Sequence, residues 1–346
     1  MVSSTDGRGI PSQPTLEEVA AVAGVSRATA SRVINGSPRV SLPAKAAVDR
    51  AVAQLGYVPN RAARQLVTRR TDSIGLVVSD PESRVFSEPF FSGALRGVSD
   101  ALSSTDMHLV LLMAQNDAHR ARLERYVQNR HVDGVLLMSL HGEDPLPSAL
   151  LRIGMPVVLF GRPVVGSDDV TWIDADNAGG ARLAVQHLVT TGRRTIATIA
   201  GPQDMSVGRD RLAGYRAALA DAGLAYDEGL VREGDFTESG GLTLATELLA
   251  ARPDIDAIFA ASDLMATGAL HALRSAGRRV PDDVAVVGFD DAPSAPYTDP
   301  PLTTVRQPVE TMARQMTEML LEQITSGDRS QRHIVVDTVL VHRDSA

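Results

Sequence analysis

The residues best placed for chemistry in this chain are Arg27, Ala28 and Thr29, with Arg32 about one turn further on, because they open a short helix. An arginine fork matches guanine O6 and N7, and a small alanine or a threonine methyl accepts a thymine methyl. Residues at the start of the second helix of a helix-turn-helix reach base edges in the major groove. Arg27 is therefore the first candidate base reader and Arg32 the second; the alternative for Arg27 is a phosphate contact or a solvated charge. Ser26 and Thr29 serve equally well as caps that set the helix, and Ser31 and Asn35 as phosphate ligands. No catalytic constellation competes with this reading. The eight histidines form no HExxH spacing, no P-loop occurs, residues 177–180 lack a dinucleotide fingerprint, and without cysteine there is no disulfide or thiolate metal site. No cofactor is expected.

Three short helices must position those residues. Thr15 and Glu18 have the spacing of a capping box, followed by apolar Leu16, Val19, Ala20 and Ala23 at helical intervals. Gly24 breaks that helix, Ser26 caps a second over 27–34, and Asn35-Gly36 ends it. A third begins at Ser41, carries Pro43 in its first turn and runs through Val48, Val52 and Leu55 to Gly56. The spacing predicts a DNA-binding domain over 14–59, behind a Gly/Ser/Pro-rich tail over 1–13 that is expected to be disordered. Residues 60–66 are good helix formers but too few to hold a helix alone, so the segment 60–71 should fold only against a partner.

From residue 72 the chain alternates short β-branched and aliphatic runs with amphipathic stretches, predicting parallel sheets covered by helices. The runs are 74–78, 109–113, 134–138, 157–160, 195–200, 257–260, 284–288 and a last strand over 335–341. Charge divides along the same line. Residues 1–70 hold nine Arg and Lys45 against four acidic residues, a net +6, which leaves −14 on the remainder of a chain whose total is −8. A basic head on an acidic body seeks a polyanion with one end only. With 44% hydrophobic and 22% charged residues, no membrane-length apolar run and no apolar leader, the expectation is a cytoplasmic protein without a membrane partner.

The segments TLEEVAAVAGVSRATASRVINGSPRVS and LGYVPNRAARQL, with VVGFDD and PPLTTVRQP further on, resemble the lactose and galactose repressor (LacI/GalR) family over nearly the whole chain. The resemblance implies an all-α helix-turn-helix head and an α/β body of two Rossmann-like lobes, like periplasmic binding proteins. The N-lobe is expected over 72–173 plus 308–333 and the C-lobe over 174–307 plus 334–346. It implies a homodimeric repressor on a pseudopalindromic double-stranded operator, controlled by a small-molecule effector. A sugar is the first expectation for that effector and a nucleobase or other metabolite the alternative; whether it releases or promotes DNA binding stays open. A sugar-transport protein is the rival that shares the body but not the basic head.

By the same resemblance 60–66 is a hinge helix, Leu66 is an apolar wedge in the minor groove with Ala63 facing that groove, and Leu16 and Asn60 join the DNA-contacting set. Ser79, Phe91, Arg211, Phe236, Ser262, Asp290 and Gln307 fall where the family contacts its effector, with Asp263 rather a structural residue such as a helix cap. Gly161-Arg162 occupies a place where many members of the family carry an acidic residue before or near an arginine, a departure that leaves the sugar unnamed. No tetramerising heptad tail is expected after 335–341.

Overall fold

The structure is a computed structural model that describes residues 14–35, 37, 39–58 and 70–346. Residues up to Thr71 and those from Asp72 onward form two separate compact units. In the head, α1 (Leu16–Ala23) starts at the capping box: the Glu18 N–H donates to Thr15 Oγ1, and the Thr15 N–H donates to Glu18 Oε2 at 2.7 Å. Gly24 ends α1 at φ +67°, a left-handed geometry that a Cβ would strain. Helix α2 (Arg27–Ile34) begins three residues later, with Ser26 Oγ accepting the Thr29 N–H at 3.1 Å. The third helix, α3 (Leu42–Leu55), has Pro43 in its first turn, and Ser41 precedes it without a side-chain capping bond. Val19, Ala20, Ala30, Val33, Val48 and Ala51 from all three helices make one small core, which fixes the angle at which α2 is presented.

The body runs β1 (Ser73–Val78), α4 (Glu82–Ser87), α5 (Pro89–Leu102), β2 (His108–Met113), α6 (Asp117–Gln128), β3 (Gly134–Met138), α7 (Leu146–Arg152), β4 (Val157–Phe160) and β5 (Thr171–Ala175). It continues through α8 (Asn177–Thr190), β6 (Ile196–Ala200), α9 (Ser206–Asp221), β7 (Val231–Glu233), α10 (Glu238–Ala251), β8 (Ala257–Ala260), α11 (Asp263–Ser275), β9 (Ala285–Asp290) and β10 (Thr303–Arg306). Helix α12 (Val309–Ser326), β11 (His333–Val336) and β12 (Val339–Val341) complete it.

Two six-stranded sheets result, ordered β11-β5-β4-β3-β1-β2 and β12-β10-β9-β8-β6-β7. All the pairings are parallel except β10 with β12. Each sheet has a hydrophobic cluster on either face, as the doubly covered arrangement requires. Strands β3, β4, β5, β6 and β8 are buried throughout, which explains why most of them read as unbroken apolar runs. Helices α5 and α12 approach so closely that a Cβ on Gly97 would collide with the Glu310 carbonyl oxygen and lie 2.9 Å from the Ala313 Cβ.

The chain passes between the lobes three times: after β5, between β10 and α12, and between β11 and β12. The expected single strand over 335–341 is therefore two strands in different sheets, broken at Asp337-Thr338. Strands β5 and β11 also carry the N-lobe sheet to Ala175 and Val336, past the expected boundaries at 173 and 333.

Candidate functional site

The head exposes Ser26, Arg27, Ala28, Arg32 and Asn35, leaves Thr29 and Ser31 half-buried, and buries Ala30 and Val33 beneath them. Asn35 Nδ2 donates to Ser31 Oγ at 3.2 Å, which couples two candidate phosphate ligands one turn apart. Ser26 Oγ also lies 2.9 Å from Thr29 Oγ1, so both serve the cap. Arg27 Nε lies 2.5 Å from Glu17 Oε1, an ion pair between α2 and α1 that the sequence did not announce. Leu16 is half-buried and packs against the head's core, so its side chain is chiefly a packing one. Asn60, Ala63 and Leu66 lie outside the described residues.

In the body, a cavity of about 370 Å³ opens between the lobes at the C-terminal ends of the strands, where ligands of open α/β sheets bind. Arg211, Phe236, Ser262, Asp290 and Gln307 line it together. Arg211 is the buried centre. Its Nε donates to Asn177 Oδ1 at 3.0 Å, its Nη1 donates to the Ala261 carbonyl at 2.6 Å and lies 3.5 Å from Asp290 Oδ1, and its guanidinium sits 3.7 Å over the Phe289 ring. Gln307 Nε2 donates to Asp290 Oδ1 at 2.6 Å. Burial pushes the Asp290 carboxyl above its ordinary range, while Arg211 and Gln307 pull the other way.

Ser262, not Asp263, caps α11: its Oγ accepts the Met265 N–H at 3.2 Å. The Asp263 carboxylate instead ties the floor of the cleft, accepting the Ala292 N–H at 2.6 Å and the Thr304 hydroxyl at 2.5 Å. Its own burial, followed by the charge of Asp290, raises its carboxyl well above the usual range.

Two expected contacts are elsewhere. Phe91 is 2% exposed in the N-lobe core, because it shares the helical stripe of Ala94, Val98 and Leu102; its neighbour Phe90 lines the cleft, edge-on to Phe160 at 5.4 Å. Ser79 does not line the cavity, and its hydroxyl is buried without a hydrogen-bond partner among the described residues. The sequence reading also missed a second cation near Phe236. Arg84 lies 5.2 Å from the Phe236 ring centroid, against 5.8 Å for Arg211, so two guanidiniums stand close to this ring. Arg84 Nε donates to Glu88 Oε1 at 2.5 Å and its Nη1 to Asp80 Oδ1 at 2.8 Å. Burial pushes Glu88 up to about 7 despite that partner.

Backbone strain concentrates here as well. Of the six non-glycine residues with positive φ among those described, Ser139 (+56°), Phe236 (+65°), Asp290 (+122°) and Asp291 (+54°) line the cavity. Such conformations cost roughly 1–3 kcal/mol each and persist where surrounding structure imposes them.

Bonds join the lobes across the cleft. Arg162 Nη2 donates to both carboxylate oxygens of Asp210, at 2.8 and 2.6 Å, and the Ser206 hydroxyl donates to the Arg162 carbonyl. His141 Nδ1 lies 2.9 Å from Asp204 Oδ2, and the Gly142 N–H donates to the Asp204 carbonyl at 2.8 Å. The lobes are thus held closed by side-chain bonds that opening would break.

Comparison with known proteins follows the same two parts. Residues 15–60 match the family described as bacterial regulatory proteins, lacI family, and residues 185–346 match a periplasmic binding protein-like domain. The chain is 56% identical over 281 residues to the HTH-type transcriptional regulator CelR of Thermobifida fusca, covering 81% of this chain and 83% of that one. Among solved structures, a transcriptional regulator CelR–cellobiose complex is 50% identical, with a TM-score of 0.78 over 96% of this chain and 100% of its own. The lac repressor dimer bound to operator and the anti-inducer ONPF is 27% identical, with a TM-score of 0.84 over 96% and 99%.

Proposed function

The chain belongs to the lacI family of bacterial regulatory proteins, DNA-binding regulators of transcription, and we propose that it is a cytoplasmic, homodimeric repressor whose operator affinity is set by a glucose disaccharide. The observation that carries the effector reading is the interlobe cavity, in which Phe236, Phe90 and Phe160 share the lining with Arg211, Asp290, Gln307, Arg84 and Glu88. Apolar rings among directional charged donors and acceptors suit a sugar, whose C–H groups pack on apolar surface while its hydroxyls take hydrogen bonds. The likeness to a regulator solved with cellobiose favours a disaccharide over a monosaccharide.

The cleft is read as a binding site: Asp290, Glu88 and Asp263 are engaged by Arg211, Gln307, Arg84, the Thr304 hydroxyl and the Ala292 N–H. Two heads in a dimer place Arg27 and Arg32 in successive major-groove half-sites, and Leu66 with Ala63 is the proposed minor-groove wedge. Effector control follows if the sugar has different affinity for the open and closed lobes, which shifts their populations and the spacing of the chains that enter the heads.

Isothermal titration with cellobiose, glucose, ribose and hypoxanthine tests this reading. One cellobiose per chain, bound more tightly than either monosaccharide, is expected, and it should alter binding to an operator duplex. Preferential binding of hypoxanthine, or no response to any sugar, overturns the effector assignment.

A further inference from the structure

We propose that Glu17 is a positioning residue for base recognition, holding Arg27 by its Nε edge so that the terminal fork stays free to read a guanine. The proposal rests on the DNA-binding reading of the head. Helix α1 begins with two adjacent glutamates that have separate tasks. Glu18 closes the capping box with Thr15, its Oε2 accepting the Thr15 N–H at 2.7 Å. Glu17 takes no part in that cap and reaches across to α2, where its Oε1 lies 2.5 Å from Arg27 Nε in an ion pair.

The identity of the nearest nitrogen matters. A guanidinium has five N–H groups in a fixed plane, and a guanine O6/N7 edge is read end-on by two of them. A carboxylate beside Nε leaves both terminal nitrogens available for that contact. It also restrains by its charge a side chain that would otherwise sample many rotamers, because Arg27 is 70% exposed and has no other ion pair among the described residues.

An ion pair this open contributes little to folding. Its consequence lies in selection: the carboxylate stands beside Arg27 and repels phosphate, so a swing of Arg27 to the backbone loses the Glu17 contact and brings two anions together. Glu17 thereby penalises sequence-independent binding while leaving guanine reading intact.

The test is selection from a randomised double-stranded DNA library by the full-length protein and its Glu17→Gln and Arg27→Lys variants, with affinities measured across a salt series. The wild type is expected to enrich a two-fold motif with one G·C pair per half-site that depends on Arg27. Glu17→Gln should lower discrimination at that pair about fivefold, the lower end of what one bidentate contact is worth. It should also strengthen binding to unrelated duplex and steepen the salt dependence by about 0.9 per added phosphate contact. Arg27→Lys, which keeps the charge without the fork, should flatten the same pair even if Glu17→Gln proves poorly folded. An unchanged motif and salt slope in Glu17→Gln, or an unchanged pair in Arg27→Lys, overturns the assignment of Glu17. A wild type that enriches no two-fold motif overturns the repressor reading and this inference with it.

Discussion

The bond between Arg162 and Asp210 offers the most direct test of the idea that the effector captures a closed cleft. Asp210→Asn, Arg162→Gln and the double variant remove it in three ways. The geometry sets the size of the effect. One terminal nitrogen of Arg162 serves both carboxylate oxygens at 2.8 and 2.6 Å, but the side chains are 41% and 26% exposed, so water and salt screen the pair. A surface ion pair is worth up to about 1 kcal/mol, and partial burial places this one near that upper end. The Ser206–Arg162 carbonyl bond also spans the lobes and survives every substitution, so closure is weakened and not abolished. If the effector binds only the closed lobes, the loss appears in full in its affinity, as about a fivefold rise in Kd. Titration calorimetry with cellobiose at physiological salt measures it. Each single variant and the double should all lie near the same fivefold, giving a coupling of about 1 kcal/mol in the cycle. A double variant weaker by the product of the singles, about 25-fold, would show that the residues act independently and would refute a bridge-controlled closure.

His141 joins the lobes at Asp204 and lies 3.5 Å from Asp80 through Nε2; the bond to Asp80 first, then that to Asp204, raises its pKa above the ordinary 6.5 against the opposing effect of burial. Asp80 lies in the same lobe as His141, so it is the Asp204 contact that couples this charge to closure: protonated His141 favours the bridged state, and that contribution is lost as pH climbs through the raised value. Effector affinity, followed by titration between acid and alkaline buffers, should fall with rising pH over that window, and His141→Gln should flatten the profile; a slope that persists in the variant places the titrating group elsewhere. Gly97→Ala, by forcing a methyl against the Glu310 carbonyl and Ala313, should destabilise the body by about 2 kcal/mol, read as a melting temperature lower by roughly 4–8 °C. A melting temperature within a degree of wild type would show that α5 and α12 separate at no cost.

The sequence carried the local features of this fold. The capping box at Thr15 and Glu18, the left-handed Gly24 and the Ser26 cap are formed by residues three or fewer apart, so type and spacing suffice to read them. The buried strands β1, β3, β4 and β8 were legible for the same reason, as compact apolar runs. Strand β5 was not, because Asp174 interrupts it with a carboxylate that is buried only through the N–H groups of Arg162 and Ala175 and the Asn177 amide. At the other end of the body the opposite error arises: the apolar residues flanking Asp337-Thr338 look like one strand, and only the competition of two sheets for strand edges divides them. Helical periodicity would have separated the two phenylalanines of α5. Phe91 sits three and seven residues before Ala94 and Val98, on the buried stripe, and Phe90 falls beside it.

The cleft is harder to read because its decisive features are properties of closure and not of any segment. Positive φ at Phe236 and Asp290 is imposed by the packing around them, and no residue type there signals it. Arg162 shows the consequence most clearly. In the sequence it stood beside Gly161, where many of the family carry an acidic residue before or near an arginine, and the missing carboxylate removed a clue to the sugar. In the folded chain Arg162 meets Asp210, 48 residues away in the other lobe. A cation at this place therefore has a partner supplied by the opposing wall, in a bond by which the walls are held together. Reading the effector from this position alone would assign to ligand recognition a charge that is already engaged in closing the cleft.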